Sequence, residues 1–299
     1  MATGPGQRST AETPPGTRPA SRLCSAKGPQ DERGSSSTKE GNSISDRIFL
    51  YGPPSPAADL RIFCLPYAGK GASLYRQWWE ASDQRIEFVP VQLPGRENRF
   101  KDGLVHDMRE LVASLAADIA PHTDRPYALF GHCMGAVIAF ELAHRLSDLT
   151  GHRPQHLVVA GSAAPHRQQA VPAERQRTDA ELMTELRRLG GTPQAALDDE
   201  RLLAFALPVF RADWSAVDGY GYRPTPALDT PITVLGAADD AGVPTDELGE
   251  WERHTNADTK VHVLPGDHFF MERSGEEVRG LLVSELSGDA DVNARGIQT

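Results

Sequence analysis

The stretch ALFGHCMGAVIAF, residues 128–140, decides the fold of this chain. The apolar run ending at Phe130 predicts a buried strand, and the helical spacing that begins at Met134 predicts a helix. Between them lies the turn Gly-His-Cys-Met-Gly, centred on Cys133. A turn of this form lifts its central side chain clear of the sheet, because the flanking glycines carry no Cβ. The context therefore favours Cys133 as a nucleophile over a chance five-residue pattern.

The position of the cysteine predicts its chemistry. A helix N-terminus stabilises a developing anion and lowers the pKa of a thiol placed there. Attack on a carbonyl also needs two N–H donors for the oxyanion. The sequence offers the N–H of Met134, next after the nucleophile, and that of Ala68, in the loop PYAGKG after an earlier apolar run. That loop does not have the glycine spacing of a phosphate-binding P-loop.

Short apolar runs alternate with helical patterns on either side of the turn. These runs are LRIFCLP, IEFVPVQ, PYALFG, HLVVAG, PITVLG and KVHVLPG. Their continuous apolar character is typical of a parallel sheet covered on both faces. From about residue 170 to 226 the patterns are helical with no strand between them. This segment predicts a helical lid over the site, and extra helical packing on the sheet is the alternative.

Composition limits the domain organisation. Residues 1–45 are rich in Ser, Gly, Thr, Pro and Arg, which predicts a disordered tail. We expect the folded domain over 46–288 and a second disordered tail over 289–299. The chain shows no secretory apolar core and no run long enough to span a membrane, so we expect a cytoplasmic protein that does not act at a membrane.

Charge and cysteine content narrow the partners. The formal net charge of −10 argues against a nucleic-acid partner, which would require a basic face. The chain has 3 cysteines, too few for a disulfide framework, and their spacing fits no zinc site. We therefore predict no metal, and a reducing compartment in which the thiol of Cys133 stays free.

A nucleophile needs a base, and the base needs an orienting acid. His268 is the candidate base, because it follows an apolar run in the loop GDHFFM and so lies at the carboxyl edge of the predicted sheet. The acid should also follow a strand, and TVLGAADDAGV offers both Asp239 and Asp240. The residues alone do not separate these two. Asp267 is a poorer candidate, since neighbouring side chains rarely face each other.

Six blocks, in order, resemble the type II thioesterases, which are free-standing α/β-hydrolases that accompany polyketide synthases and non-ribosomal peptide synthetases. The blocks are LPYAGKGASLYRQW, VQLPGREN, GHCMGAVIAFELA, GGTPQAALDDERLLAFALPVFRADWSAVDGYGY, DTPITVLGAADDAGV and LPGDHFFM. The resemblance implies an α/β class with a mostly parallel central sheet, helices on both faces and a helical lid insert. It also implies a monomer that hydrolyses acyl thioesters, either small or held on the phosphopantetheine of acyl or peptidyl carrier proteins, without a cofactor of its own.

The resemblance also assigns roles to residues. It implies a catalytic triad of Cys133, His268 and Asp240 and an acyl-enzyme intermediate. Asp240 takes the place of the acid because the family's acid is followed by a small residue and Val, as in DAGV. The two oxyanion donors fall on the backbone positions named above. Two side chains of the lid are expected to touch the substrate, namely Phe210 and Trp214.

Cys133 departs from the family, in which most members carry serine at this position. One reading is a natural cysteine thioesterase, and another is a serine-to-cysteine replacement that traps the acyl-enzyme. A third is an acyltransferase or cyclase, because an acyl-cysteine stays as activated as its thioester substrate and can pass to an amine or alcohol where water is excluded. A non-catalytic carrier-protein binder is the fourth. The residues leave these readings open.

Overall fold

The computed structural model describes residues 47–172, 177–189 and 198–287. Within these ranges, six parallel strands form one sheet in the order β2-β1-β3-β4-β5-β6. The strands are β1 (Leu60–Leu65), β2 (Ile86–Pro90), β3 (Tyr127–His132), β4 (His156–Ala160), β5 (Ile232–Ala237) and β6 (Thr259–Leu264). The parallel sheet predicted from the apolar runs is confirmed. The predicted tails at 1–45 and 289–299 lie outside the described residues.

Within the described ranges there are six α-helices, five of them between strands and one after β6. They are α1 (Arg76–Glu80), α2 (Met108–Ile119), α3 (Met134–Thr150), α4 (Asp179–Leu189), α5 (Glu200–Asp218) and α6 (Phe270–Leu286). Local signals fix their ends: the Asp107 carboxylate accepts two N–H groups at the start of α2, and Gly151 ends α3 at a φ of 73°. No helix in the described ranges is both long and apolar enough to cross a bilayer.

Two apolar clusters lie on opposite faces of the sheet. Alternate residues of each strand point to opposite faces, so Phe63 packs with α2 and α3 whereas Ile62 packs with α1 and α6. All residues of β1, β3, β4 and β5 are buried, which explains their continuous apolar character. The edge strand β6 differs, because Val261 and Val263 remain exposed there.

The segment between β4 and β5 holds α4 and α5, and its described residues contain no strand. A helical insert is therefore present where the alternation of the sequence pattern breaks. We call this segment, with α4 and α5, the insert. Its action as a lid stays a prediction.

Candidate active site

The turn between β3 and α3 holds Cys133 in a strained conformation, with φ of 54° and ψ of −114°. Such a backbone costs a non-glycine residue about 1–3 kcal/mol and persists only where its surroundings enforce it. The Cys133 N–H donates to the Ala160 carbonyl at 2.8 Å. A Cβ on Gly131 would lie 2.0 Å from the Gly135 oxygen, and one on Gly135 would lie 2.2 Å from the Leu65 oxygen. The two glycines are thus required where β3, α3 and β1 cross.

An imidazole and a carboxylate lie beside this cysteine. The His268 Nδ1–H donates to Asp240 Oδ2 at 2.8 Å. The other carboxylate oxygen of Asp240 accepts the N–H groups of Gly242 and Val243, at 2.8 and 3.3 Å. The Cys133 side chain is near enough to raise the pKa of the His268 imidazole. The carboxyl ends of β3, β5 and β6 therefore bring together all three residues of the predicted triad. By contrast, Asp239 is exposed, and Asp267 accepts the N–H of Phe269.

The electrostatics of the group favour a charged imidazole. Burial lowers the pKa of His268, but hydrogen bonds with Asp240 and Cys133 and the charges of both outweigh it and raise the pKa to about 10. Burial likewise opposes ionisation of Asp240, yet His268 and two backbone N–H groups hold its pKa below the ordinary value. At neutral pH the arrangement therefore suits an imidazolium at His268 that is hydrogen-bonded to the Asp240 carboxylate.

A second imidazole, that of His132, packs against the first, with ring centroids 5.6 Å apart. It is fully buried, and burial followed by the charge of His268 lowers its pKa to about 3. Its Nε2–H donates to the His268 backbone carbonyl at 2.9 Å. A neutral His132 therefore holds the His268 loop in place. The contact spans 136 residues, so no local signal in the sequence indicates it.

The cysteine and the imidazole open onto a cavity of about 210 Å³. Its lining residues come from the sheet edge and from the insert: Cys133, Met134, Val137, Gly161, Ser162, Ala163, Gln168, Glu185, Trp214, Val217, Gly242, Val243 and His268. Trp214, one of the two side chains that were expected to touch the substrate, lines this cavity. Phe210 does not line this cavity. It packs over Gly69, whose Cβ, if present, would lie 1.9 Å from the Phe210 ring.

The two predicted oxyanion donors belong to different elements of the fold. Met134 is the first residue of α3, where an N–H has no partner within the helix. Ala68 lies in the turn Tyr67–Lys70, which is closed by a hydrogen bond of 3.1 Å from the Lys70 N–H to the Tyr67 carbonyl. Gly69 has a φ of 83° there, as the third position of a type II turn requires. We call residues 67–70 the oxyanion loop.

A buried ion pair links the insert to this loop. Arg96 and Asp213 form two hydrogen bonds of 2.7 Å each, and their side chains are 8% and 2% exposed. Arg211, two residues before Asp213, takes no part in this pair. Arg211 instead pairs with Asp179. In residues 47–172, 177–189 and 198–287, no group of three His, Cys, Asp or Glu side chains could hold a metal ion.

Comparison with known proteins agrees with this geometry. The profile of the family described as "Thioesterase domain" matches residues 60–283. "Linear gramicidin dehydrogenase LgrE" of Brevibacillus parabrevis is 35% identical over 258 residues, which cover 85% of this chain and 98% of that protein. "Gramicidin S biosynthesis protein GrsT" of Aneurinibacillus migulanus is 37% identical over 245 residues, or 81% and 94% of the two chains.

A solved structure extends the likeness to three dimensions. The type II thioesterase BorB from the borrelidin biosynthetic cluster superposes with a TM-score of 0.70 at 35% identity. The match covers 78% of this chain and 95% of that one. The predicted α/β-hydrolase fold is thereby confirmed.

Proposed function

Since the chain belongs to the thioesterase family, we propose that it hydrolyses acyl groups from the phosphopantetheine arm of a carrier protein in non-ribosomal peptide or polyketide biosynthesis. Family membership makes the chain an acyl-thioester hydrolase. Two relatives support the pathway, because GrsT is named for gramicidin S biosynthesis and BorB comes from the borrelidin cluster. That the enzyme is a cytoplasmic monomer without a cofactor remains our prediction.

The word "dehydrogenase" in the name of LgrE is not carried over to this chain. The family profile over residues 60–283 has greater weight than one relative's name. The grouping of thiol, imidazole and carboxylate at the cavity also suits acyl transfer, in which a nucleophile, a proton carrier and an orienting acid act in sequence.

In the first half of the proposed reaction, the Cys133 thiolate attacks the thioester carbonyl carbon. The carbonyl oxygen becomes an oxyanion, which accepts the N–H groups of Ala68 and Met134. When the tetrahedral intermediate collapses, the bond to the pantetheine sulfur breaks. The His268 imidazolium gives its Nε2 proton to that sulfur, so pantetheine leaves as a thiol and the acyl group remains on Cys133. Asp240 holds the imidazole through Nδ1.

In the second half, neutral His268 takes a proton from a water molecule as the oxygen attacks the acyl-cysteine. A second oxyanion forms at the same two N–H groups, and its collapse releases the carboxylic acid and restores the Cys133 thiolate. His268 ends the cycle as imidazolium, in its starting state. The observation that carries this proposal is the His268–Asp240 hydrogen bond of 2.8 Å beside a cysteine held at a φ of 54°.

Intact-mass analysis after incubation with acyl-pantetheines of increasing chain length tests the proposal. We expect a mass increase equal to one acyl group, which decays as free acid accumulates. Cys133→Ala should lose both signals. Cys133→Ser is the matched comparison, because it restores the nucleophile usual in the family without altering the glycine crossing.

Two outcomes would contradict the proposal. Acid release that survives Cys133→Ala would move the nucleophile elsewhere. An amide product formed with an added amine, without free acid, would favour the acyltransferase over the hydrolase.

A further inference from the structure

We propose that the buried Arg96–Asp213 pair positions the oxyanion loop, which makes both side chains positioning residues for the reaction. The inference rests on the proposed function, because it takes the Ala68 N–H as an oxyanion donor. The pair joins three segments that are distant in sequence: the loop after β1, the loop after β2 and helix α5 of the insert.

The first step of the argument is that Asp213 lies on the apolar side of α5. Val209, Ala212 and Ala216 are buried with it, at the spacing of a single helical stripe. A carboxylate in such surroundings needs a cation and hydrogen bonds to offset its lost hydration. The guanidinium of Arg96 supplies both through Nη1 and Nη2, in the two-pronged geometry that fixes direction as well as charge.

The second step is that the pair binds the backbone of the oxyanion loop. Asp213 Oδ2 accepts the Gly69 N–H at 2.7 Å, and Arg96 Nη1 also donates to the Lys70 carbonyl at 3.1 Å. The Ala68 N–H shares one planar peptide group with the Tyr67 carbonyl, which the Lys70 N–H holds. Fixing Gly69 and Lys70 therefore fixes the direction of the Ala68 N–H.

The third step is that the segment around Arg96 is itself held against the loop after β1 by hydrogen bonds. Glu97, next to it, has a φ of 46°, a strained value for a side chain of this size. The Glu97 carboxylate accepts the Ser73 hydroxyl at 2.5 Å and the Ser73 N–H at 3.2 Å. Gln92 Oε1 accepts the Ala72 N–H at 2.9 Å. The loop after β2 thus contacts the loop after β1 at several backbone groups.

A consequence follows for the substrate cavity. Asp213 precedes Trp214 on α5, and Trp214 and Val217 line the cavity. The helix that contacts the acyl group therefore also fixes the oxyanion donor. Displacement of α5 would alter the pocket and the charge-stabilising N–H together.

Two reactions of the Cys133 sulfur distinguish a positioning role of the Arg96–Asp213 pair from a contribution to overall folding. Acylation by hexanoyl-pantetheine forms an oxyanion, whereas alkylation by iodoacetamide displaces iodide and forms none. We expect Asp213→Asn to slow acylation at least about tenfold, because removal of one oxyanion donor costs on the order of 10²–10³-fold and here the donor is displaced rather than removed. Alkylation should stay within about twofold of wild type.

A reversible inhibitor gives a second readout. Hexanal adds to the thiolate as a thiohemiacetal whose oxygen occupies the oxyanion position. Its affinity should fall in Asp213→Asn by about the same factor as the acylation rate. The double variant Arg96→Met/Asp213→Leu removes both charges, a change that cores often tolerate. It leaves Gly69 without its acceptor, so it should show the same split between acylation and alkylation.

The matched control is Asp124→Asn. Asp124 also pairs with a buried arginine, Arg61, at 2.7 Å, but it precedes β3 at the opposite edge of the sheet. Both rates should remain at wild-type values in this variant.

Acylation at the wild-type rate in Asp213→Asn, or an equal fall of acylation and alkylation, would overturn the positioning role. A wild-type protein that hexanoyl-pantetheine does not acylate would count against the proposed function instead. The hexanal affinities would then still decide the positioning role.

Discussion

The cavity has two walls that are built in different ways. On the sheet wall, Cys133 and His268 project from loops at the ends of parallel strands, and backbone crossings at glycines fix the cysteine. On the insert wall, Trp214 and Val217 come from one helix, which the Arg96–Asp213 pair joins to the oxyanion loop. Backbone packing thus places the reacting atoms, whereas side chains give the pocket its shape. Changes to Cys133 or His268 on the sheet wall should affect rate, whereas changes to Trp214 or Val217 on the insert wall should affect selectivity.

The largest expected effect lies on the sheet wall. His268→Ala removes the proton donor for the leaving thiol, so kcat should fall on the order of 10³-fold, within the range attributed to general acid–base catalysis. Stopped-flow release of pantetheine thiol measures it. His262→Ala is the control, because His262 lies on β6 and pairs with Glu285. Equal losses in the two variants would remove His268 from the reaction.

Asp240→Asn should cost less, about 10²-fold in kcat, because a thiol depends less on its base than a hydroxyl does. The pH dependence of acylation gives clearer evidence for the role of Asp240. The raised pKa of His268, about 10, keeps the imidazolium available at neutral pH and loses it as pH rises through that value. Without the carboxylate the alkaline fall in acylation should move to lower pH. Asp239→Asn, the exposed neighbour, should keep the wild-type profile, and an unmoved profile in Asp240→Asn would contradict the role of that carboxylate.

On the insert wall, Trp214→Ala should separate binding from chemistry. Loss of the indole enlarges the cavity, so KM for medium-chain acyl-pantetheines should rise roughly tenfold while kcat stays within about threefold, since contacts of this size are worth about 1–3 kcal/mol. Phe205→Ala is the control on the same helix, because Phe205 is 74% exposed. A fall in kcat with unchanged KM would break the distinction between the two walls.

The smallest effect concerns stability. His132 is held neutral, with a pKa lowered to about 3, so its contribution is present above the unfolded pKa near 6.5 and is lost as pH falls. Between pH 6 and 4, His132→Gln should reduce the slope of unfolding free energy against pH by about 1.4 kcal/mol per pH unit. Urea titrations at each pH measure it, with the exposed His106→Gln as control. An unchanged slope would show that His132 is charged in the folded protein.

Much of the sheet wall could be predicted from the sequence, because its signals are local. The turn centred on Cys133 is formed by residues 131–135, and the apolar runs before and after it predict the neighbouring strands. His268 and the pair Asp239 and Asp240 follow such runs, and parallel strands end at one edge. The family resemblance then separated Asp240 from Asp239, and in the structure Asp240 is the residue that contacts His268.

The insert wall could not be predicted in the same way, because its contacts join residues far apart in sequence. Arg96 and Asp213 are 117 residues apart, and no spacing rule links a loop after β2 to a helix before β5. One signal was available: Asp213 lies on the stripe formed by Val209, Ala212 and Ala216, where a carboxylate indicates a buried partner. The packing of Phe210 on Gly69 could not be predicted for the same reason, because these two residues are also far apart in sequence.

The crossing at Gly131 and Gly135 has a consequence for the chemistry at position 133. The contacts that enforce it come from backbone atoms, and the Cys133 side chain takes no part in them. Oxygen or sulfur can therefore stand at position 133 on the same scaffold. A single substitution at position 133 can thus turn the covalent intermediate from a thioester into an oxyester. It changes the free energy of hydrolysis of that intermediate while the surrounding architecture is conserved.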